Sequence, residues 1–180
     1  MAGKKAKVLS SKLVYQGKVF GVRHLELIEP GGIRTTRDIV THHGSVVILP
    51  VLPDGRILMV RQYRHTFGGF MLELVAGRIE PGEKPLVAAK RELAEETGYR
   101  ARRVRKMLAF LATPGFVQEP MTVYLATGLT PGKTHFDEDE RVEAKPFKLK
   151  ALLEMIRKGQ LHDAKSIAGL LYYSQYIFRG

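Results

Sequence analysis

The stretch Gly77-Arg78-Ile79-Glu80-Pro81-Gly82-Glu83-Lys84, running into Pro85 and closing at Thr97-Gly98, constrains local structure more tightly than any other part of the chain. Proline lacks an N–H and has φ already near the helical value, so Pro85 suits a first helical position. Glycine tolerates the left-handed conformation, so Gly98 suits the residue just past a helix C-terminus. Between them the spacing predicts a helix of about three and a half turns. Leu86, Ala89, Leu93 and Thr97 recur every three or four residues and predict a narrow face lying against a sheet. The polar face carries Glu92, Glu95 and Glu96 at i, i+3 and i+4, with Glu83 just before the helix. Side chains so spaced project into one small region and like charges there repel, with Arg91 the obvious local cation. Two readings fit: a solvated acidic face, or a hard-metal site in which carboxylates hold Mg²⁺ or Mn²⁺ against a phosphate-bearing substrate. Gly77 and Gly82 permit backbone conformations that turn carbonyls such as that of Ala76 toward the same metals.

The rest of the chain reads mostly as strands. VLSSKLVY, KVFGVRHLELI and IRTTRDIV, the last two separated by a turn at Glu29-Pro30-Gly31-Gly32, predict a three-stranded antiparallel sheet. Three strands bury too little to stand alone, so this piece is expected to dock on its own core or on a second subunit. HHGSVVILPVLPDGRILMVRQYR predicts two core strands joined at Pro53-Asp54-Gly55, and MLELVA a strand delivering the glycine turn. VRKMLAFLA, MTVYLATGL and VEAKPFKL read as further strands, ALLEMIRKGQ as a short helix, and DAKSIAGLLYYSQYIF as a C-terminal helix turning Ile167, Leu170, Leu171, Ser174 and Ile177 to the core. Strands with a few helices imply an α/β or α+β domain built in layers.

Composition narrows the function classes. The 180 residues, 44% hydrophobic, suit one domain with a modest appendage. The absence of cysteine excludes disulfides, zinc–thiolate sites and thiol nucleophiles and fits a reducing cytoplasm, the expected location. No apolar run is long enough to span a bilayer, and MAGKKAKVLSSKLVY has no apolar signal-peptide region, so neither membrane insertion nor secretion is expected. The net charge of +11 raises the question of a polyanionic partner. Its densest cluster, Arg100, Arg102, Arg103, Arg105 and Lys106, reads as a solvated strand edge, and with no nucleic-acid-binding motif the cations are expected to steer small anionic substrates instead.

Gly77, five residues, Glu83, seven residues, then Arg91-Glu92-Leu93-Ala94-Glu95-Glu96-Thr97-Gly98 and a final apolar residue resembles the Nudix box at every fixed position. Only Tyr99 stands where the family more often has an aliphatic residue. Outside the box, RQYRHTFGGFMLELVAG, TPGFVQE with Pro114, TRDIVTHHGSVVILP, HFDEDERVEAKPFKL and GQLHDAKSIAGLL resemble the ADP-ribose pyrophosphatase branch, so the likeness covers nearly all the chain after the first dozen residues.

That resemblance implies an α/β (α+β) fold, a Nudix-type α/β/α sandwich with a mixed sheet, plus a small N-terminal antiparallel β domain exchanged in a homodimer. The boundaries it implies are 1–42 for the β domain and 43–180 for the hydrolase domain, with the box at 77–99. It implies hydrolysis of ADP-ribose to AMP and ribose 5-phosphate with Mg²⁺, or Mn²⁺, as cofactor. The alternatives are the same chemistry on GDP-mannose or ADP-glucose, and a nucleotide-sensing module that does not cut. Glu92, Glu95, Glu96 and the Ala76 carbonyl are the implied metal ligands, and Glu83 the residue orienting Arg91 or a metal-bound water. Glu138, with Glu140 as alternative, is the implied acceptor of the attacking water's proton, against a solvated acidic loop. Arg64 is implied near the substrate phosphates, Arg37 at the adenosine end from the neighbouring subunit, and Glu119 at the terminal ribose. Phe20 is placed either on the adenine or in the core, and His42 and His43 are read as turn or core residues.

Overall fold

The structure, a computed structural model, describes residues 5–132 and 142–179. The chain separates into two compact units, one running to Gly44 and taking in Leu111–Pro120, the other formed by Ser45–Phe110 and the chain from Met121 onward.

In the first unit β1 (Lys7–Gln16), β2 (Gly21–Ile28) and β3 (Arg34–Thr41) pair antiparallel in chain order, with Lys7 opposite Ile28 and Gly21 opposite Thr41. The predicted turn closes as expected: the Gly32 N–H donates to the Glu29 carbonyl and Gly32 has φ +86°. A fourth strand, of only two residues, lies parallel to β3 with Val40 opposite Val117. It falls inside TPGFVQEP, where two residues carry no periodicity to read. β1 is exposed along its whole length, including Val8, Leu13, Val14 and Tyr15.

The second unit contains two sheets. The first is a mixed sheet ordered β7 (Val75–Arg78), β4 (Ser45–Pro50), β10 (Pro120–Pro131), β8 (Tyr99–Leu111), the two-residue strand Val117–Gln118 being β9. β4 runs parallel to β10 and antiparallel to β7. The second sheet is antiparallel, ordered β11 (Glu143–Phe147), β5 (Ile57–Arg64), β6 (Gly69–Glu73). Three helices complete the described residues: α1 (Pro85–Thr97), α2 (Leu149–Arg157) and α3 (Ala164–Tyr176).

β4 is buried from end to end, and its alternation sorts the core. Val46 and Ile48 join Val75, Ala88, Ala89 and Leu93 of β7 and α1. Val47 and Leu49 join Leu74, Leu152 and Leu170, on the side of α2 and α3. Helices therefore cover opposite faces of the strand, which gives the α/β/α layering, and an apolar run without polar alternation is what a strand covered on both faces requires.

A predicted turn and a predicted strand have a different role from the one their sequence advertises. The Pro53-Asp54-Gly55 turn forms, with Gly55 at φ +80°, but it hands the chain from one sheet to the other. MLELVA is two strands: β6 pairs with β5, β7 pairs with β4, and the change occurs at Leu74. The Leu74 N–H donates instead to the buried Ser166 hydroxyl, 2.6 Å away.

Two predicted core positions are exposed. Leu86 is turned to solvent, because α1 meets the core through small Ala88 and Ala89 and then Leu93, Glu96 and Thr97, while Leu86 belongs to the turn before them. Leu171 is exposed because the buried stripe of α3 is Ser166, Gly169, Leu170 and Tyr173, centred where Gly169 lies against Leu74.

Candidate active site

α1 is bounded as its sequence demands: Pro85 opens it, and Gly98, at φ +71°, closes it with its N–H on the Ala94 carbonyl. The acidic row is held together by one guanidinium. Arg91 donates from Nη1 to Glu92 Oε1 at 2.7 Å and to Glu95 Oε2 at 2.9 Å. Its Nε and Nη2 form a fork on Glu83 at 3.1 and 3.0 Å, and Nη2 also reaches the Arg78 carbonyl at 3.0 Å. A planar fork engages a carboxylate bidentately with little loss of freedom, which is why this position takes arginine in preference to lysine. The Arg91 hydrogen bonds hold the Glu83 carboxyl below its usual range, and the Glu83 hydrogen bond in turn raises Arg91. Glu83 thus orients Arg91, and Arg91 arranges Glu92 and Glu95.

Gly77 lets the Glu92 carboxylate lie against the backbone. A Cβ there would stand 1.9 Å from Glu92 Cδ and 2.0 Å from its Oε1, so the carboxylate lies directly on the backbone next to Ala76. Ala76 itself is fixed in β7 opposite Val47. Glu96 is buried, with 5% exposure, and its Oε2 accepts no hydrogen bond although the residue has other interactions. Glu95, at 38% side-chain exposure, is the acid most open to water.

Among the described residues no three His, Asp or Glu side chains close into a finished metal cage. The donor set is oxygen only, graded from buried to open and partly balanced by Arg91. A hard divalent cation that keeps several of its waters and shares ligands with substrate phosphates fits such a half-built site better than a closed cage does.

Arg64 is bound to a residue the sequence reading passed over. Its Nε and Nη2 donate to the two oxygens of Glu73 at 2.7 and 2.8 Å, and Lys165 Nζ reaches the same carboxylate at 2.5 Å. The Glu73 side chain is 2% exposed. Burial pushes its carboxyl up, but the hydrogen bonds and charges of Arg64 and Lys165 outweigh that and hold it below the ordinary range. Lys165 also pairs with Asp163, which caps α3 by accepting from the Ser166 N–H. A signal was present in the sequence: an acid between two leucines in an apolar run must be paired if it is to be buried. The partner on α3 had no such signal.

Phe20, Arg37 and Glu119 belong to the N-terminal unit. Phe20 is exposed and tilts against Tyr15 at 5.6 Å between centroids, so it is not a core residue. Arg37 is half-exposed and donates to Glu29, the Thr35 hydroxyl and the Thr36 carbonyl. His42 Nδ1 accepts from the Gly44 N–H at 3.0 Å, a turn role, with Glu119 Oε1 3.7 Å away. Glu138 and Glu140 lie outside the described residues. Arg100, Arg102, Arg103, Arg105 and Lys106 are exposed on β8, the outer strand of the mixed sheet, as expected. No helix among the described residues is long and apolar enough to cross a membrane.

Comparison with known proteins points the same way. The model of the NUDIX domain matches residues 41–170. The ADP-ribose pyrophosphatase of Bacillus subtilis (strain 168) is 36% identical over 168 residues, covering 92% of this chain and 91% of that one. The ADP-ribose pyrophosphatase of Mycobacterium tuberculosis (strain ATCC 25618 / H37Rv) is 36% identical over 176 residues, 95% of this chain and 84% of that one. Among solved structures, an ADP compounds hydrolase superposes with a TM-score of 0.85 at 23% identity, covering 98% of this chain and 96% of that one, a likeness of fold.

Proposed function

The chain belongs to the Nudix family, and we propose that it hydrolyses the diphosphate of ADP-ribose to AMP and ribose 5-phosphate. The observation that carries hydrolysis is the acidic array of α1, complete and organised by Arg91 with Glu92 seated on Gly77. The choice of ADP-ribose rests on two relatives of that activity matching almost end to end.

Glu92, Glu95, Glu96 and the Ala76 carbonyl would hold the divalent metal that Nudix hydrolases generally need, Mg²⁺ or Mn²⁺ in this proposal. When bound it neutralises the diphosphate and lowers the pKa of a coordinated water. The protein's own share is positional. Arg91 bridges Glu92 and Glu95 through one shared nitrogen and so holds both carboxylates on one side of the helix, and Gly77 leaves room for the Glu92 carboxylate. Arg64 turns its guanidinium toward the phosphates from β5; the Glu73 pair uses Nε and Nη2, leaving Nη1 outside it. Glu138, or Glu140, accepts the proton as water attacks one phosphorus and the bridging oxygen leaves with the other phosphate. Arg37, reaching in from the neighbouring subunit of the proposed dimer, and Phe20 grip the adenosine end, and Glu119 the terminal ribose.

The proposal includes a homodimer in the cytoplasm. The dimer's support is that the N-terminal unit leaves Val8, Leu13, Val14, Tyr15 and Phe20 exposed, and grouped exposed apolar side chains mark interaction surfaces.

The test is product analysis with Mg²⁺ against ADP-ribose, GDP-mannose, ADP-glucose, NADH and 8-oxo-dGTP in parallel, with Glu96→Gln as control. AMP from ADP-ribose, at a rate reduced about 10²–10³-fold or more in Glu96→Gln, is the expected result. Preference for another substrate would replace ADP-ribose, and no turnover on any would favour a nucleotide-sensing module.

A further inference from the structure

Resting on the ADP-ribose reading, we infer that Lys165 is a positioning residue of the hydrolysis: it holds Glu73, and through Glu73 the guanidinium of Arg64, where the chain enters the metal-binding loop. The three side chains come from β5, the end of β6 and the first turn of α3, and Lys165 lies 92 residues from Glu73 in sequence.

The geometry is that of a clamp. Alternation along the β5–β6 ladder puts Gln62 and Arg64 on the same face as Glu73, because Val60 is opposite Glu73 and Arg64 opposite Gly69. Glu73 Oε1 accepts from Arg64 Nε, and Oε2 accepts from both Arg64 Nη2 and Lys165 Nζ. Lys165 is itself held by Asp163 at 2.8 Å, and Asp163 accepts a hydrogen bond from the Ser166 hydroxyl. That same hydroxyl oxygen accepts the N–H of Leu74, the residue at which the chain passes from β6 to β7 and on to Ala76 and Gly77. Every link from Arg64 to the loop is thus a directional polar contact.

A merely structural account explains this arrangement poorly. A carboxylate taken out of water carries a desolvation penalty that its partners roughly cancel, and well-packed apolar residues of the same volume would stabilise the core as well or better. What an ion-pair chain adds is orientation. Arg64 is 35% exposed, so without the clamp its guanidinium would sample several rotamers. With Glu73 holding two of its nitrogens, the remaining edge is directed before substrate arrives, which lowers the entropic cost of gripping a diphosphate.

The experiment compares wild type, K165M, K165R, R64Q and the R64Q/K165M double variant, each checked for a folded spectrum, by steady-state kinetics and by the ¹H–¹⁵N resonance of the Arg64 Nε–Hε group, assigned by its loss in R64Q. Expected are a rise of about tenfold in KM for ADP-ribose in K165M, a larger change than in kcat, recovery in K165R, and a double variant no worse than R64Q alone. The Arg64 Nε–Hε signal should be sharp and displaced in wild type and shifted or broadened in K165M. Losses that multiply in the double variant, or a K165M protein with a lower melting temperature but unchanged KM and unchanged Arg64 resonance, would overturn the inference. If wild type ignores ADP-ribose, the substrate reading falls by itself, and the Arg64 resonance in K165M still decides the clamp.

Discussion

At the residue scale the most exacting contact is that between Gly77 and Glu92. Any β-carbon at position 77 would overlap the Glu92 carboxylate, which sits at the end of a flexible side chain and can swing away. Gly77→Ala should therefore fold with a modest change in melting temperature, while displacing a carboxylate that belongs to the proposed metal set and weakening its bond to Arg91. Because a displacement of about 1 Å at such a centre costs on the order of 10²-fold in rate, the expected phenotype is a folded protein with kcat reduced by that factor. Circular dichroism beside the product assay separates the two effects. A Gly77→Ala protein of full activity would mean that Glu92 does not work from this position.

At the scale of the element, α1 and the cap of α3 each assemble charges that would be unfavourable alone. Removing Arg91 leaves Glu83, Glu92 and Glu95 without their common donor. Arg91→Gln is expected to lose about 2 kcal/mol without divalent metal, since hydrogen bonds to charged groups are lost and like charges face one another. Mg²⁺ should restore part of that loss, because it replaces the missing positive charge; thermal melts with and without Mg²⁺ measure this. A variant whose melting temperature ignores Mg²⁺ would place the metal elsewhere. The cap of α3 gives a pH signature. Glu73 is held below the ordinary range in the folded state, so the stability its ionised form contributes is complete above the unfolded value near ~4.3 and disappears as pH falls through the lower folded value. The stability difference between wild type and K165M should accordingly be largest near neutral pH and close in acid, as urea titrations at several pH values would show. A difference that widens below pH 4 would have the wrong sign for this account.

For the whole molecule the distinguishing quantity is a net charge of +11 around an acidic site that must receive an anion. Cations spread over the surface, including the exposed row on β8, set up a long-range attractive field that salt screens within about 10 Å at 0.1 M. The value of kcat/KM should fall several-fold between about 50 and 500 mM NaCl, chiefly through KM, whereas kcat changes little. Steady-state kinetics in a salt series checks this, and a flat profile would leave the basic surface without a part in substrate capture. Sizing of the intact protein by light scattering addresses the proposed homodimer, the occupant expected for the exposed apolar side chains of β1.

The local code of this chain was readable without a structure: Pro85 and Gly98 delimit α1, the box spacing identifies the acidic array, Asp54-Gly55 marks a turn, and the apolar run of β4 marks a core strand. These features depend on residues close in sequence, whose effect on φ, hydrogen bonding and periodicity is intrinsic. Pairings between distant segments were not readable. That MLELVA breaks at Leu74 to serve two sheets, that Val117–Gln118 joins β3, and that Leu86 and Leu171 face water depend on which surface each segment meets. So does the union of Glu73 with Arg64 and Lys165, a buried charge whose partner is set by the packing of α3 on the sheet and by no local pattern. The sequence alone determined most of the elements and the acidic chemistry of α1 with its Arg91; only the tertiary structure decided which elements share a sheet and which cations answer Glu73, because burial and ion pairing between distant segments are properties of neighbours in space.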